Sequence, residues 1–169
     1  MHLIEGPVGA GKSTFAFALA RELGAPHLNL DAWMASLFLP DRPEGHTFEW
    51  YAERKDRLVA RIFEVACEVV DAGHPVVLEL GLVTRAARDA FYAKVDAGGY
   101  DLSIHVLDAP REVRRERVRR RNETRDATYS VTISDAVFER ASNWWEPVAD
   151  AECARYDVHF VDAARSSQS

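Results

Sequence analysis

The chain has 169 residues, of which 47% are hydrophobic and 28% charged, and this balance predicts one soluble globular domain. Its 21 basic and 27 acidic residues give a net charge of −6, which argues against a protein that coats nucleic acid or anionic membranes non-specifically. Two cysteines, Cys67 and Cys153, are too few for a disulfide framework or a cysteine-based zinc site, so a cytoplasmic location is expected. No run of 18 apolar residues occurs and Glu5 and Gly6 interrupt the first apolar stretch, so we expect neither a membrane span nor a signal peptide.

Strand and helix patterns alternate along the chain. Strands are predicted at residues 1–5, 26–31, 75–80, 101–108 and 156–162. Helices are predicted at residues 12–23, 32–39, 48–72, 84–97, 111–122 and 134–143. Because helices of ten or more residues separate most of these strands, the strands are expected to be parallel with right-handed crossovers, in an α/β fold. Residues 1–165 are predicted to form a single domain, and residues 166–169 a frayed tail.

Residues 6–13 match the motif G-x-x-x-x-G-K-[ST] in full, between a predicted strand and an amphipathic helix. The glycines let successive backbone N–H groups point at phosphate oxygens, and the helix N-terminus adds partial positive charge. Lys12 would bridge the β- and γ-phosphates of ATP, and the Ser13 hydroxyl would ligate Mg²⁺. The predicted cofactors are therefore ATP and Mg²⁺, in a P-loop NTPase three-layer sandwich with a five-stranded parallel sheet. The predicted nucleotide-binding residues of this loop are Gly6, Pro7, Val8, Gly9, Ala10, Gly11, Lys12, Ser13 and Thr14.

Two other features of the sequence narrow the class of nucleotide-binding protein. No N-K-x-D string for guanine recognition occurs, and a single short domain with one P-loop favours a kinase over a mechanical ATPase. A kinase benefits from a carboxylate that takes the proton of the acceptor hydroxyl. Asp31 is the candidate, because it ends the second predicted strand, where open α/β sheets place their ligands. Its alternative role is the N-cap of the helix predicted at 32–39.

Asp31 follows Lys12 by 19 residues, within the segment Asn29-Leu30-Asp31-Ala32-Trp33. This arrangement resembles a group of small bacterial P-loop kinases that includes polynucleotide 5′-hydroxyl kinases, zeta toxins and chloramphenicol phosphotransferase. Segments 84–89, 117–122 and 144–147 extend the resemblance over most of the chain. It implies ATP-dependent phosphoryl transfer to a hydroxyl group, with Asp31 as the base.

One departure from that family concerns the acceptor. Polynucleotide kinases have an arginine three residues after the base, which holds the phosphate of the acceptor, and this chain has Met34 there. Two kinds of acceptor are therefore left open, a small molecule and the 5′-hydroxyl end of a nucleic acid. Long nucleic acid is not expected as a partner.

Three further residues are candidates for the acceptor and metal sites. Glu79 ends an apolar run and would help to hold Mg²⁺, directly or through water, or else pair with Arg85 or Arg88. Arg88 would lie near the acceptor, or on a solvated helix surface. Trp33 and neighbouring aromatic residues would stack on a flat acceptor, or simply pack helix against helix.

Eight of the 18 arginines fall within residues 111–125. Much of this segment is expected to be a solvated face with Glu–Arg pairs. The resemblance to small kinases implies that residues 111–133 form a lid, in which Arg117 and Arg121 contact the phosphates of ATP and residues 122–133 are mobile. The alternative from another class is an ATP-binding regulatory switch with weak ATPase activity. The oligomeric state is left open.

Overall fold

The computed structural model describes residues 1–45, 47–125 and 132–162. Five parallel strands form one sheet in the order β2-β3-β1-β4-β5. Numbered along the chain, the strands are β1 (His2–Glu5), β2 (His27–Asn29), β3 (Val77–Glu79), β4 (Ser103–Asp108) and β5 (Asp157–Asp162). The predicted α/β fold with a five-stranded parallel sheet is confirmed.

The described residues also form helices between and after the strands. They are α1 (Lys12–Leu23), α2 (Leu30–Leu37), α3 (Phe48–Asp71), α4 (Arg85–Ala97), α5 (Arg111–Thr124), α6 (Asp135–Trp144) and α7 (Asp150–Arg155). Helix α7 was not predicted, because six residues are too few to give a helical period of apolar side chains.

Both faces of the sheet are covered, as a three-layer arrangement requires. Leu3 and Leu78 pack with residues of α3 and α4, such as Ile62 and Phe91, in the larger core cluster. The alternate strand residues Ile4, Val77 and Leu107 pack with Ala16 and Ala20 of α1 in a second cluster. This alternation follows from the period of two along a strand, and it explains why the strands read as continuous apolar runs.

The junction between β2 and α2 differs from the prediction. Strand β2 ends at Asn29, whose side chain accepts a hydrogen bond of 2.9 Å from the Ala32 N–H and caps the helix. Helix α2 therefore begins at Leu30, two residues earlier than expected. Asp31 is neither the last residue of the strand nor the N-cap, and it lies in the first turn of α2.

Two predicted features fall outside the described residues. Half of the segment predicted to be mobile, residues 126–131, belongs to this part, and so does the predicted tail, residues 166–169. The two ends of the segment predicted to be mobile are described, and there Asn122 exchanges hydrogen bonds of 2.8 and 3.1 Å with the backbone of Ile133. Among the helices of the described ranges, none is long and apolar enough to cross a membrane.

Candidate active site

The P-loop fits tightly between β4 and α5. A Cβ atom on Gly6 would lie 2.2 Å from the Leu107 carbonyl oxygen, and one on Gly9 would lie 2.5 Å from the Arg114 carbonyl oxygen. Both glycines also have positive φ angles, 141° and 78°, which other residues rarely adopt. No side chain fits at either position, so the loop can present its backbone N–H groups to a phosphate.

Lys12 lies at the base of this loop, where its ammonium group donates a hydrogen bond of 3.0 Å to the Pro7 carbonyl oxygen. Surrounding protein lowers the pKa of Lys12, and the charges of Glu79 and Asp31 act in the opposite direction. Lys12 is therefore within electrostatic range of both predicted carboxylates. Of the other loop residues, Thr14 is exposed on α1 and Ala10 is buried.

Glu79 is fixed at the carboxyl end of β3 by three neighbours. Its carboxylate accepts hydrogen bonds from the Ser13 hydroxyl at 2.8 Å and the Asn29 amide at 2.6 Å, and it lies 3.2 Å from the His27 Nε2 atom. Burial alone would raise the pKa of Glu79, but the His27 hydrogen bond and the charge of Lys12 outweigh it and the pKa is lowered. Glu79 is thus an ionised carboxylate against the P-loop serine, and it does not pair with Arg85 or Arg88.

These groups fit a magnesium ion. The Ser13 hydroxyl and the ionised Glu79 are hard oxygen donors 2.8 Å apart, and Mg²⁺ in nucleotide sites takes one or two protein ligands, with phosphates and waters completing the shell. Within the described ranges no group of three or more His, Cys, Asp or Glu residues is placed to hold a metal by itself. That is compatible with a metal brought in with the nucleotide.

Asp31 lies on the open side of this arrangement. Its side chain is exposed to water, but surrounding protein reduces its solvation and raises the pKa of the carboxyl group. The charge of Glu79 raises this pKa further, whereas the charges of Lys12 and Lys55 lower it. Asp31 is therefore an exposed carboxylate within electrostatic range of the P-loop lysine.

Two residues of α3, Tyr51 and Lys55, lie within electrostatic range of Asp31. Tyr51 is among the aromatic residues expected near the acceptor, whereas Lys55 was not assigned to the site from the sequence. The Lys55 ammonium donates a hydrogen bond of 2.8 Å to the Gly81 carbonyl oxygen, and within the described residues no carboxylate lies at ion-pair distance from it. Burial lowers the pKa of Lys55, and Asp31 raises it. Burial and the nearby Asp31 also raise the pKa of Tyr51. One signal was available, since Lys55 is one of three lysines in a chain with 18 arginines.

Three arginines of α5 reach the P-loop region. Arg117 donates to the Ala10 carbonyl oxygen at 3.4 Å, and Arg114, which was not predicted as a site residue, donates to the Val8 carbonyl oxygen at 3.0 Å. The Nε atom of Arg121 is buried without a hydrogen-bond partner in the described structure. Its charge acts on Lys12. Arg117 and Arg121 are thus positioned beside the loop.

The other arginines of this helix have a different role. Arg111 and Arg115 both pair with Glu139 of α6, and Arg119 pairs with Asp135 at 2.9 Å. These pairs join α5 to α6. The predicted Glu–Arg pairing is found at Arg111 and Arg115, and the Asp–Arg pair of Arg119 was not predicted.

The structure contradicts the prediction that Arg88 contacts the acceptor or lies on a solvated surface. Its side chain is 0% exposed. Its guanidinium group bonds Glu152 at 2.7 Å and the carbonyl oxygen of Glu146 at 2.9 Å, and it lies 3.7 Å from Glu5. The physical reason is the unpredicted helix α7, which brings a carboxylate to the inward face of α4.

Trp33 is also not brought to Asp31. Residues two apart on a helix point in opposite directions, and Trp33 packs half-buried against the larger core cluster. Met34, at the position where polynucleotide kinases have an arginine, is only 3% exposed and belongs to the same cluster.

Comparison with known proteins places this chain in a family. Residues 1–148 match the AAA_33 family, described as an AAA domain. The chain belongs to this family. The match covers β1 to β4 and α1 to α6, so it includes the P-loop, Asp31, Glu79 and the arginines of α5.

Individual relatives of this AAA_33 chain are more distant. A shikimate kinase from Ruegeria pomeroyi is 35% identical over 71 residues, which are 40% of this chain and 36% of that protein. The match thus spans about a third of the relative's length. A sugar kinase from Janibacter sp. has a TM-score of 0.66 at 18% identity, covering 97% of this chain and 85% of that one. Kti12 from Chaetomium thermophilum, solved with ADP-AlF3, has a TM-score of 0.70 at 16% identity over 95% and 88%. The AAA_33 chain therefore has the fold of small P-loop kinases.

Proposed function

We propose that this protein is an ATP-dependent kinase that transfers the γ-phosphoryl group to a hydroxyl group of a small molecule. The observation that carries the proposal is the position of Asp31, an exposed carboxylate within electrostatic range of Lys12 of the P-loop and Lys55 of α3. The space around Asp31 is the proposed acceptor cleft. A regulatory switch has no need of a base at this point, whereas a kinase needs one to receive the proton of its acceptor.

In this proposal the P-loop and α5 hold the donor. The backbone N–H groups and Lys12 bind the phosphates of ATP, and Arg117 and Arg121 approach the same oxygens from α5. The unpartnered Nε atom of Arg121 supports this role, because a buried donor without an acceptor is costly until a ligand supplies one. Ser13 and Glu79 would hold Mg²⁺, which neutralises charge on the phosphates when it is bound.

The chemical step is a displacement at phosphorus. The acceptor oxygen forms a bond to the γ-phosphorus, the bond from that phosphorus to the β–γ bridging oxygen breaks, and ADP leaves. The acceptor proton passes to the Asp31 carboxylate. Because the pKa of Asp31 is raised, this carboxylate is a stronger base than an ordinary aspartate.

The acceptor is proposed to carry an anionic group near its reacting hydroxyl. Lys55 supports this, since it is a half-buried ammonium group beside Asp31 with a single backbone oxygen as its hydrogen-bond partner in the described structure. An anionic ligand would give it the charge partner that the protein does not supply at contact distance. The names of two similar proteins, a shikimate kinase and a sugar kinase, support a hydroxylated small molecule.

The test is ADP release from ATP and Mg²⁺ in the presence of paired acceptors. Shikimate is compared with its methyl ester, and thymidine 3′-monophosphate with thymidine, so that each pair differs in one anionic group. We expect stimulated release with the anionic member of one pair and none with Lys12→Ala. Slow release that no hydroxyl compound stimulates would contradict the kinase and favour the regulatory switch.

A further inference from the structure

Two large aromatic side chains meet at the surface from distant parts of the chain. Phe48 is 60% exposed and Trp144 is 46% exposed, yet their rings lie 5.6 Å apart at an angle of 64°. Phe48 begins α3 and Trp144 ends α6. Such an edge-to-face contact is favourable by about 0.5–1.5 kcal/mol, and here it connects two helices that have water on their outer sides.

Phe48 lies on the face of α3 that looks toward Asp31. Positions 48, 51 and 55 follow a spacing of three and four residues, so their side chains share one helix face. Tyr51 and Lys55 on this face both interact electrostatically with Asp31. Because Lys55 bonds the Gly81 carbonyl oxygen next to the sheet, Phe48, seven residues earlier, marks the outer end of this face.

Trp144 is held at the same place from the other side. Glu146, two residues after Trp144, donates its N–H to the Val83 carbonyl oxygen at 2.9 Å, and its carboxylate accepts the Arg85 N–H at 2.6 Å. Arg88 bonds the carbonyl oxygen of Glu146 and stacks on Trp145 at 5.3 Å. The segment after α6 is therefore anchored to the loop that follows β3, which is also the loop that Lys55 contacts.

We propose that Phe48 and Trp144 form an aromatic wall that closes the outer end of the acceptor side of the cleft and limits the acceptor to a small molecule. The inference deepens the proposed function and rests on it for the identity of the reaction. With α3 on one side and the anchored segment on the other, a polymer with its terminal hydroxyl at Asp31 would have to pass between two rings in contact. A single nucleotide or sugar has no such continuation.

The kinetic test uses two acceptors with the same reacting group and different lengths. Thymidine 3′-monophosphate and a single-stranded thymidine dodecamer both present a 5′-hydroxyl group with a phosphate on the 3′ side. We expect the wild-type protein to prefer the mononucleotide by about tenfold or more in kcat/KM, and Phe48→Ala or Trp144→Ala to reduce that preference severalfold. Phe160→Ala, a matched change at a 68% exposed ring on β5, should leave it unchanged.

A second measurement does not depend on turnover. Asp31→Cys is introduced into a chain with Cys67→Ala and Cys153→Ala, and it is labelled in the presence of Mg²⁺ and a non-hydrolysable ATP analogue. We expect iodoacetamide to label this cysteine fast and a polyethylene glycol maleimide to label it slowly. When Phe48→Ala or Trp144→Ala is added, the labelling rate of the large maleimide should rise and that of iodoacetamide should not change.

Equal labelling rates for the large reagent with and without the two rings would contradict the proposed aromatic wall. Equal wild-type kcat/KM values for the mononucleotide and the dodecamer would contradict it as well. Failure of the wild-type protein to phosphorylate either acceptor would count against the proposed function and not against the aromatic wall. The labelling rates then test the aromatic wall by themselves.

Discussion

At the scale of single residues, the site holds two carboxylates whose environments pull their pKa values apart. Hydrogen bonds from His27 and Ser13 keep Glu79 ionised, whereas reduced solvation and the charge of Glu79 raise the pKa of Asp31. Such a divergence separates the roles of two acids in one site. Glu79 is suited to an electrostatic role toward a metal, and Asp31 to receiving a proton.

Lys55 gives a prediction at this scale. Lys55→Met keeps much of the aliphatic length but removes the charge, so we expect KM for an anionic acceptor to rise about tenfold or more. The affinity for ATP should not change, because Lys55 lies on the acceptor side. Lys55→Arg restores a positive charge and should recover part of the loss. Steady-state kinetics with varied acceptor, together with ATP binding by calorimetry, check this.

The control is Arg57→Met, which removes an exposed positive charge from the same helix. A KM for the anionic acceptor that rises equally in Arg57→Met and Lys55→Met would show that the overall field of α3 is responsible, and not a contact made by Lys55.

How far the sequence predicts the site depends on whether its residues are close along the chain. The P-loop is contiguous, and its motif identified Lys12 and Ser13 from their neighbours. Asp31 and Glu79 could be proposed because the ends of parallel strands meet at one edge of a sheet. Lys55 could not, because the rotation of α3 about its axis is set by packing against α2 and the core rather than by its own period.

At the scale of elements, the buried ion pair between Arg88 and Glu152 joins α4 to α7 and thereby to the segment after α6. The sequence predicted α4 nearly to the residue, but it could not predict the partner of Arg88, which lies 64 residues away on a helix of six residues. Because this partner could not be predicted, the alternative expected for Arg88 was a solvated helix surface.

The pair gives a stability prediction. Arg88→Met leaves Glu152 buried without its partner, and breaking a buried pair in this way costs about 3–5 kcal/mol in the free energy of unfolding. Arg85→Met, three residues earlier on an exposed part of α4, should change that free energy by about 0.5 kcal/mol or less. Urea denaturation of both variants measures the difference, and equal small effects would show that the Arg88 pair contributes no net stability.

At the scale of the whole molecule, the net charge of −6 hides an uneven distribution. Arginines gather on α5, where some pair with acidic residues of α6 and three reach the P-loop region. Among the described residues, three acidic side chains, Glu5, Glu79 and Glu152, are buried. An acidic protein with a local cluster of arginines suits one bound nucleotide better than an extended polyanion.

A buried network of charges makes the stability of the fold depend on pH. Burial raises the pKa of Glu5 to about 8 from its usual 4.5, although Arg88, the Tyr92 hydroxyl and Lys12 lower it, and Glu152 raises it further. Between about pH 4.5 and 8 the folded chain therefore holds a proton on Glu5 that the unfolded chain has released. Stability from this group is fully present below pH 4.5 and is lost as the pH rises through 8.

Glu5→Gln tests this pH dependence, because glutamine can accept the Tyr92 hydrogen bond but cannot ionise. We expect the free energy of unfolding of the variant to fall less between about pH 5 and pH 8 than that of the wild-type protein. Glu44→Gln, at an exposed loop position, is the control and should follow the wild-type curve. A Glu5→Gln curve parallel to the wild-type one would show that Glu5 does not titrate in this range.

The central claim is that Asp31 is the base of a phosphoryl transfer, and Asp31→Asn tests it most directly. With the best acceptor from the ADP-release screen, we expect kcat to fall by about a hundredfold or more, since a positioned base contributes 10²–10⁴ in rate. The affinity for ATP, measured by calorimetry, should stay close to the wild-type value, and Asp41→Asn at an exposed loop position should retain activity. Full phosphoryl transfer by Asp31→Asn would contradict the account.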